Sequence, residues 1–295
     1  MRSPEPPVTR ASNPFVGLKA LGVHDRVKLV SMTLNDFRSV LQVLDRTRPD
    51  EIYNLAGQSS PALSFEQPIE TFESIAVGTL NLLEAIRFAA RPAKLYNAGS
   101  SDCFGDTGTD PADEATAFRP SSPYAVAKAA AFWAVANYRE AYKLWACSGI
   151  LFNHESPLRP ERFVTKKIVS TACRIARGSN ERLRLGTLSI VRDWGWAPEY
   201  VEAMWLLLQQ QQPRDYVVAT GTPSSLESFV AEAFAALKLD WRDHVEVDPL
   251  LGRPADPRHV CGDPGRIERE LGWRAKCPLP ELVHRLVAAE NRGSE

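Results

Sequence analysis

No stretch of this 295-residue chain approaches the roughly 20 consecutive apolar residues that span a bilayer. The opening Met1 to Asn13 is polar and proline-bearing, without the apolar centre of a secretory leader. Neither sign of charge is in excess: 35 Lys and Arg stand against 36 Asp and Glu, a net charge of −1. No field exists to draw nucleic acid or an anionic membrane, so each basic group is read as a local contact. Cysteine is sparse. Cys103, Cys147, Cys173, Cys261 and Cys277 are odd in number, widely spaced and free of any Cys-x-x-Cys. That argues against a disulfide framework or a metal site and points to a reducing, cytoplasmic compartment. Internal repeats and low-complexity segments are also lacking. So is any Gly-x-Gly-x-x-Gly or Gly-x-x-Gly-x-x-Gly.

What is present is the texture of a soluble globular protein, 44% hydrophobic and 24% charged, long enough for one large or two coupled domains. Apolar strand candidates lie at Val27–Val30, Glu51–Ala56, Lys94–Ala98 and Ala146–Phe152. Helical periodicity runs over 34–46, 68–89 and 123–142 between them. Strand alternating with helix implies parallel strands joined by crossover helices, the α/β doubly wound, Rossmann-like class. Past Asn153 the texture changes to proline- and arginine-bearing loops, with helices expected at 162–177, 199–210, 226–237 and 279–289. Asp215 to Thr220 reads as a further strand that rejoins the first sheet. The expected organisation is a nucleotide-binding domain over 1–155, rejoined by 196–221, with a smaller interleaved domain over 156–195 and 222–295.

The densest chemistry lies between Gly99 and Lys128. An apolar strand ends in Gly99-Ser-Ser-Asp102, and about twenty residues later comes Ser122-Pro-Tyr124-Ala-Val-Ala-Lys128. Tyr124 and Lys128 are four apart in a helical run, so both side chains share one face. An ammonium beside a phenol favours the phenolate, a base able to take a proton from a sugar hydroxyl. Cys103 has no paired base and reads as packing. Trp194 and Trp196 read as structural anchors.

This order of strand, Ser-Ser-Asp and Tyr-x-x-x-Lys resembles the extended short-chain dehydrogenases that act on nucleotide sugars. From about Val27 onward the chain is similar to the GDP-mannose 4,6-dehydratase family. The matching runs are Arg48-Pro-Asp-Glu-Ile-Tyr-Asn-Leu-Ala-Gly57, Gly78-Thr-Leu-Asn-Leu-Leu-Glu-Ala-Ile-Arg87 and Ser122 to Lys128. Further on come Gly149-Ile-Leu-Phe-Asn-His-Glu-Ser-Pro157, Arg192-Asp-Trp-Gly195 and Ala219-Thr-Gly221. The resemblance implies a redox-neutral reaction with NADP. Hydride leaves C4 of GDP-mannose, water is eliminated across C5–C6, and the hydride returns to C6, giving GDP-4-keto-6-deoxymannose.

The same resemblance assigns candidate residues. Tyr124 is the base at the C4 hydroxyl, and Lys128 tunes it and holds the nicotinamide ribose. Ser100 donates to O4. Asp102, where the family usually has glutamate, handles the C5 proton and C6 hydroxyl. Leu55, Ala56, Gly57, Gln58, Ser59, His154 and Arg159 fall on cofactor-contacting runs. Asn153, Lys167, Arg192 and Arg253 fall in the GDP-sugar region, where guanidinium suits a diphosphate. A homo-oligomer, dimer or tetramer, packed through the 68–89 and 123–142 helices is also implied.

One expected part is missing. Such a sheet normally opens with a strand, a glycine-rich turn and a helix N-terminus for the pyrophosphate. The first strand candidate here resembles the third strand of that fold, so the sheet is expected to be N-terminally incomplete. Two alternatives stay open. A nucleotide-sugar 4-epimerase or reductase would share Ser100, Tyr124 and Lys128 without needing Asp102. A non-catalytic subunit would pair with an intact paralogue.

Overall fold

A computed structural model of the chain describes residues 14–89, 92–251 and 255–292. The chain divides into two units, Met1–Met32 and Thr33–Glu295. In the first, helix α1 (Pro14–Ala20) leads to a 3-10 turn at His24–Arg26. The strand expected at Val27–Val30 does not form. Its backbone starts extended at Val27, but no strand pairs with it among the described residues, and Leu29 is half exposed. A strand exists only through its ladder of hydrogen bonds, and propensity without a neighbour leaves loop.

In the second unit α2 (Phe37–Thr47) begins at Asp36, whose carboxylate accepts from the Arg38 amide at 2.9 Å. Strand β1 (Glu51–Asn54) follows, then the short helices α3 (Pro61–Glu66) and α4 (Pro68–Phe72). The single helix expected over 68–89 is interrupted: a π-helical turn at Glu73–Val77 separates α4 from α5 (Gly78–Phe88). Strand β2 (Lys94–Ala98), a 3-10 turn at Ser101–Phe104, helix α6 (Pro123–Tyr142) and strand β3 (Ala146–Leu151) complete the first half.

Beyond them run β4 (Asn153–Glu155), α7 (Val164–Ala176), β5 (Leu183–Leu185), β6 (Val191–Trp196) and α8 (Ala197–Leu208). Then come β7 (Tyr216–Val218), β8 (Pro223–Ser225), α9 (Leu226–Ala235), β9 (Val245–Val247) and β10 (His259–Val260). Helices α10 (Gly265–Leu271) and α11 (Leu279–Arg292) close the chain's described part.

The main sheet is parallel in the order β1-β2-β3-β7. Successive side chains of β2 point to opposite faces. Leu95 packs with α2, α5 and α6, whereas Tyr96 packs with Tyr200, Ala203, Met204 and Leu207 of α8. Strand β3 is buried throughout, as a central parallel strand should be. Strand β1 has a neighbour on one side only among the described residues, and Tyr53 and Leu55 at that edge are exposed.

A second, smaller sheet runs β10-β6-β4, with β8 antiparallel to β6, and β5 pairs with β9. Its core is formed by Ile168 and Val169 of α7, Phe229 and Val230 of α9 and Leu282, Val283 and Leu286 of α11, with Trp194 packed on Phe229. Trp194 is therefore an anchor, as its position in the sequence suggests. Strand β4 leaves β3 after a single residue, so the two sheets meet at the C-terminal ends of the parallel strands.

Candidate active site

Parallel sheets bind ligands beyond the carboxyl ends of their strands, and the main cleft opens there. It has a volume of about 400 Å³ and is walled by the ends of β2 and β3, the start of α6, the loops after β1 and β4, and β6.

Ser100 is the second residue past β2. Its hydroxyl accepts from the Asp102 amide at 3.3 Å and so caps the 3-10 turn that carries Asp102. Ser122 caps α6 in the same way, accepting from the Ala125 amide at 3.1 Å, with Pro123 at the first helical position. The two caps fix where Tyr124 and Lys128 start. Ser100, Asp102, Tyr124 and Lys128 all line the cleft, and Tyr124 and Lys128 are buried. Behind Tyr124 lies Ile75 from the π turn. The same Ile75 presses on Gly57 (φ +111°), where an added Cβ would meet the Ile75 side chain at 2.8 Å. Only glycine allows that turn after β1.

The electrostatics differ from the sequence expectation in one respect. Burial, then the Asp102 carboxylate, pushes the Tyr124 phenol well above its ordinary value, while Ser100 hydrogen bonding and Arg159 act the other way. The Lys128 ammonium makes no hydrogen bond to the phenol. It donates to the Ala98 carbonyl at 2.9 Å and lies 5.9 Å from the Tyr124 ring centre. Burial also lowers Lys128 to about 8. Cys103 is buried, with its thiol pushed up by burial to about 12, which suits packing and not nucleophilic work.

On the opposite wall, Asn153, His154, Arg159 and Arg192 reach the cleft. His154 donates from Nδ1 to the Phe152 carbonyl at 2.8 Å and stacks on Tyr200, 4.7 Å between ring centres. Burial lowers its pKa and keeps the ring neutral. Arg192 is buried and pairs with Asp256 at 2.9 Å, while its Nη1 donates to the Val191 carbonyl. Asp193, the next residue of that motif, is turned away. It holds the Thr220–Gly221 loop through three hydrogen bonds of 2.8–2.9 Å.

Several expected contacts are not brought together. Leu55 and Ser59 line the cleft, but Ala56, Gly57 and Gln58 do not. Gln58 is folded back on its own loop, donating to the Ser60 carbonyl at 2.8 Å and to Thr71 at 3.3 Å. Lys167 is exposed outside the cleft, and its ammonium donates to the Arg184 carbonyl at 2.6 Å. It sits on the solvent side of α7, whose buried face is committed to the core. Arg253 lies outside the described residues. Sequence reasoning passed over Glu155, Thr165, Phe163 and Asp256, all of which line the cleft. Glu155 was legible as the carboxylate within Asn-His-Glu-Ser-Pro. Asp256 carried no signal.

The described residues fit one half of a nicotinamide dinucleotide. Ser100, Tyr124 and Lys128 line one wall of the cleft with a hydroxyl, a phenol and an ammonium, groups suited to a ribose and a reacting carbon. No glycine-rich turn facing a helix N-terminus, the usual pyrophosphate cradle, occurs among them.

The comparisons agree with this geometry. The family model for GDP-mannose 4,6 dehydratase matches residues 10–286. The chain belongs to that family. It is 48% identical over 265 residues to GDP-mannose 4,6 dehydratase 2 of Arabidopsis thaliana, covering 88% of this chain and 71% of that protein. Among solved structures, dTDP-glucose 4,6-dehydratase from Streptomyces venezuelae with NAD bound superposes with a TM-score of 0.86 at 22% identity, covering 97% of this chain and 87% of that one. RMD from Pseudomonas aeruginosa complexed with NADPH gives 0.83 at 21% identity, covering 93% and 95%. At those identities the structures speak for the fold alone, an α/β Rossmann-like architecture.

Proposed function

We propose that this cleft converts GDP-mannose to GDP-4-keto-6-deoxymannose. The observation that carries the reading is the convergence of Ser100, Asp102, Tyr124 and Lys128 on one cleft in a chain of this family. Tyr124 takes the proton of the C4 hydroxyl, and Ser100 holds that oxygen by a hydrogen bond. Asp102, once the C4 ketone has made C5 acidic, removes the C5 proton and passes a proton to the departing C6 hydroxyl. Asp102 is what separates dehydration from epimerisation, since an epimerase has no need of a carboxylate there. NADP would supply a hydride acceptor for C4 and a hydride donor for C6. Lys128, Leu55, Ser59, His154 and Arg159 would hold its nicotinamide end. Asn153 and Arg192 face the GDP-sugar.

The apolar residues left exposed on the α4–α5 segment, Ile69, Phe72, Val77 and Leu80, and on α6, Val126 and Trp133, support a homo-oligomer packed through those helices. Five free, buried cysteines support a reducing, cytoplasmic setting.

A second reading is a non-catalytic subunit that pairs with an intact paralogue. One experiment separates the two. The purified chain is given NADP and GDP-mannose, alone and with the first βαβ unit of a relative placed ahead of it. A product 18 mass units lighter in either sample supports the dehydratase. Tight GDP-sugar binding with no product in both supports the non-catalytic subunit.

A further inference from the structure

The reaction above gives no role to the most buried carboxylate of the cleft. Glu155 ends β4, is 2% exposed and accepts three side-chain hydrogen bonds. Arg159 donates Nε to it at 2.8 Å and Nη2 at 2.9 Å, and Thr165 donates its hydroxyl at 2.8 Å. Nη2 of Arg159 also donates to the His154 carbonyl at 2.7 Å, and the guanidinium lies 4.4 Å from the centre of the Phe163 ring. Only Nη1 of the fork remains without an acceptor among the described residues. Glu155, Arg159, Phe163 and Thr165 line the same cleft as Tyr124.

A guanidinium held in a two-point pair with a carboxylate has a fixed direction and little net charge. It is poorly suited to serve as the point cation for a phosphate. What it offers the cleft is a directed donor and a weak residual positive field. That field matters because of what surrounds the phenol. The charged and titratable groups around Tyr124 are Asp102, Cys103, Lys128 and Arg159, with His154, Glu155, Arg192 and Asp256 on the same cleft. The elements on its other side contribute Ile75 and apolar surface, and their carboxylates Glu66, Glu70 and Glu73 are exposed. Arg159 acts in the direction of the phenolate, and Glu155, paired with it at 2.8 Å, offsets that charge.

We propose that Glu155 is a positioning residue, which fixes Arg159 as a charge-compensated donor and through it sets how readily Tyr124 ionises. The proposal rests on the reading of Tyr124 as the base, and its test is independent of substrate and cofactor. A difluorotyrosine, intrinsically more acidic than tyrosine, is placed at position 124 of the full chain, and its ionisation is followed by ¹⁹F NMR against pH. Glu155→Gln keeps the shape and removes the compensating charge, so the midpoint should fall by about half to one pH unit. Arg159→Met should raise it by a similar amount. Glu155→Asp retains the charge and should move it less than either.

Midpoints unmoved by both Glu155→Gln and Arg159→Met overturn the proposal. If Glu155→Gln does not fold, an unmoved midpoint in Arg159→Met overturns it alone. In turnover, the acid limb of kcat should shift in the same directions, whereas a purely structural role lowers kcat evenly at every pH. A protein that binds no GDP-mannose would sink the functional reading and leave the titration standing.

Discussion

The two walls of the cleft are built on different physics. The wall from β2 and α6 places its side chains by regular backbone: a strand end, two capped turns and a four-residue helical spacing. The wall from β4, β6 and the loops places them by ion pairing. Arg159 is bound to Glu155 and Arg192 to Asp256, so each cation arrives with its own carboxylate. The first wall carries the candidate reacting groups, Ser100, Asp102, Tyr124 and Lys128. The second is a set of charge-compensated donors that can meet a polar ligand without holding an unpaired charge in the low-dielectric cleft.

Substitutions at the first wall should have the largest effects. Tyr124→Phe keeps the packing on Ile75 and removes only the base, so turnover of GDP-mannose should fall by about 10²–10⁴ with sugar-nucleotide affinity unchanged. Retention of more than a tenth of the rate would remove Tyr124 from the mechanism. Asp102→Asn should cost on the order of 100-fold and leave a specific trace. Oxidised sugar and reduced cofactor should accumulate, visible as nicotinamide absorbance, because an amide cannot take the C5 proton. Normal dehydration would point to another acid.

At the second wall the effect should be on binding. Arg192→Met should weaken GDP binding by about 10- to 100-fold in calorimetry, the worth of a charge-assisted hydrogen bond. An unchanged affinity would mean that the Asp256 pair is purely structural. The smaller test is thermodynamic. Burial holds Lys128 at about 8 in the folded chain against 10.5 for a free lysine. The folded state therefore binds fewer protons than the unfolded state between those values, and the lysine's unfavourable contribution is relieved as pH rises through that window. Lys128→Met should be more stable than the parent at pH 7, and its advantage should shrink from about pH 8 to 10.5 in urea denaturation. A constant difference would contradict the lowered pKa. Smallest of all, Lys167→Ala should leave GDP-sugar affinity within about twofold and stability within about 0.5 kcal/mol, as expected for a surface group.

How much was legible in the sequence follows the same division. Strand β2 and helix α6 fall at the residues their periodicity marks, because local spacing decides them. The π turn was invisible, since the 68–89 pattern is continuous and the extra residue per turn answers to tertiary packing against Gly57 and Tyr124. Val27–Val30 reads as a strand but lacks a partner, which no local pattern can supply. Lys167 falls in the GDP-sugar region that the resemblance implies yet lies on the exposed face of α7, and Gln58 is occupied by its own loop. Asp256 becomes meaningful only through Arg192, 64 residues away. The effect of Lys128 on Tyr124 was inferred from spacing alone, and spacing does not show that the ammonium donates to the Ala98 carbonyl and not to the phenol.

One cleft is expected to oxidise C4, eliminate water and reduce C6 of the same sugar. GDP-mannose deuterated at C4, incubated with NADP and the chain preceded by a relative's first βαβ unit, tests it directly. The account predicts a product 18 mass units lighter than the substrate, with the deuterium on C6. Deuterium returned to C4 of an undehydrated hexose would contradict it and establish an epimerase.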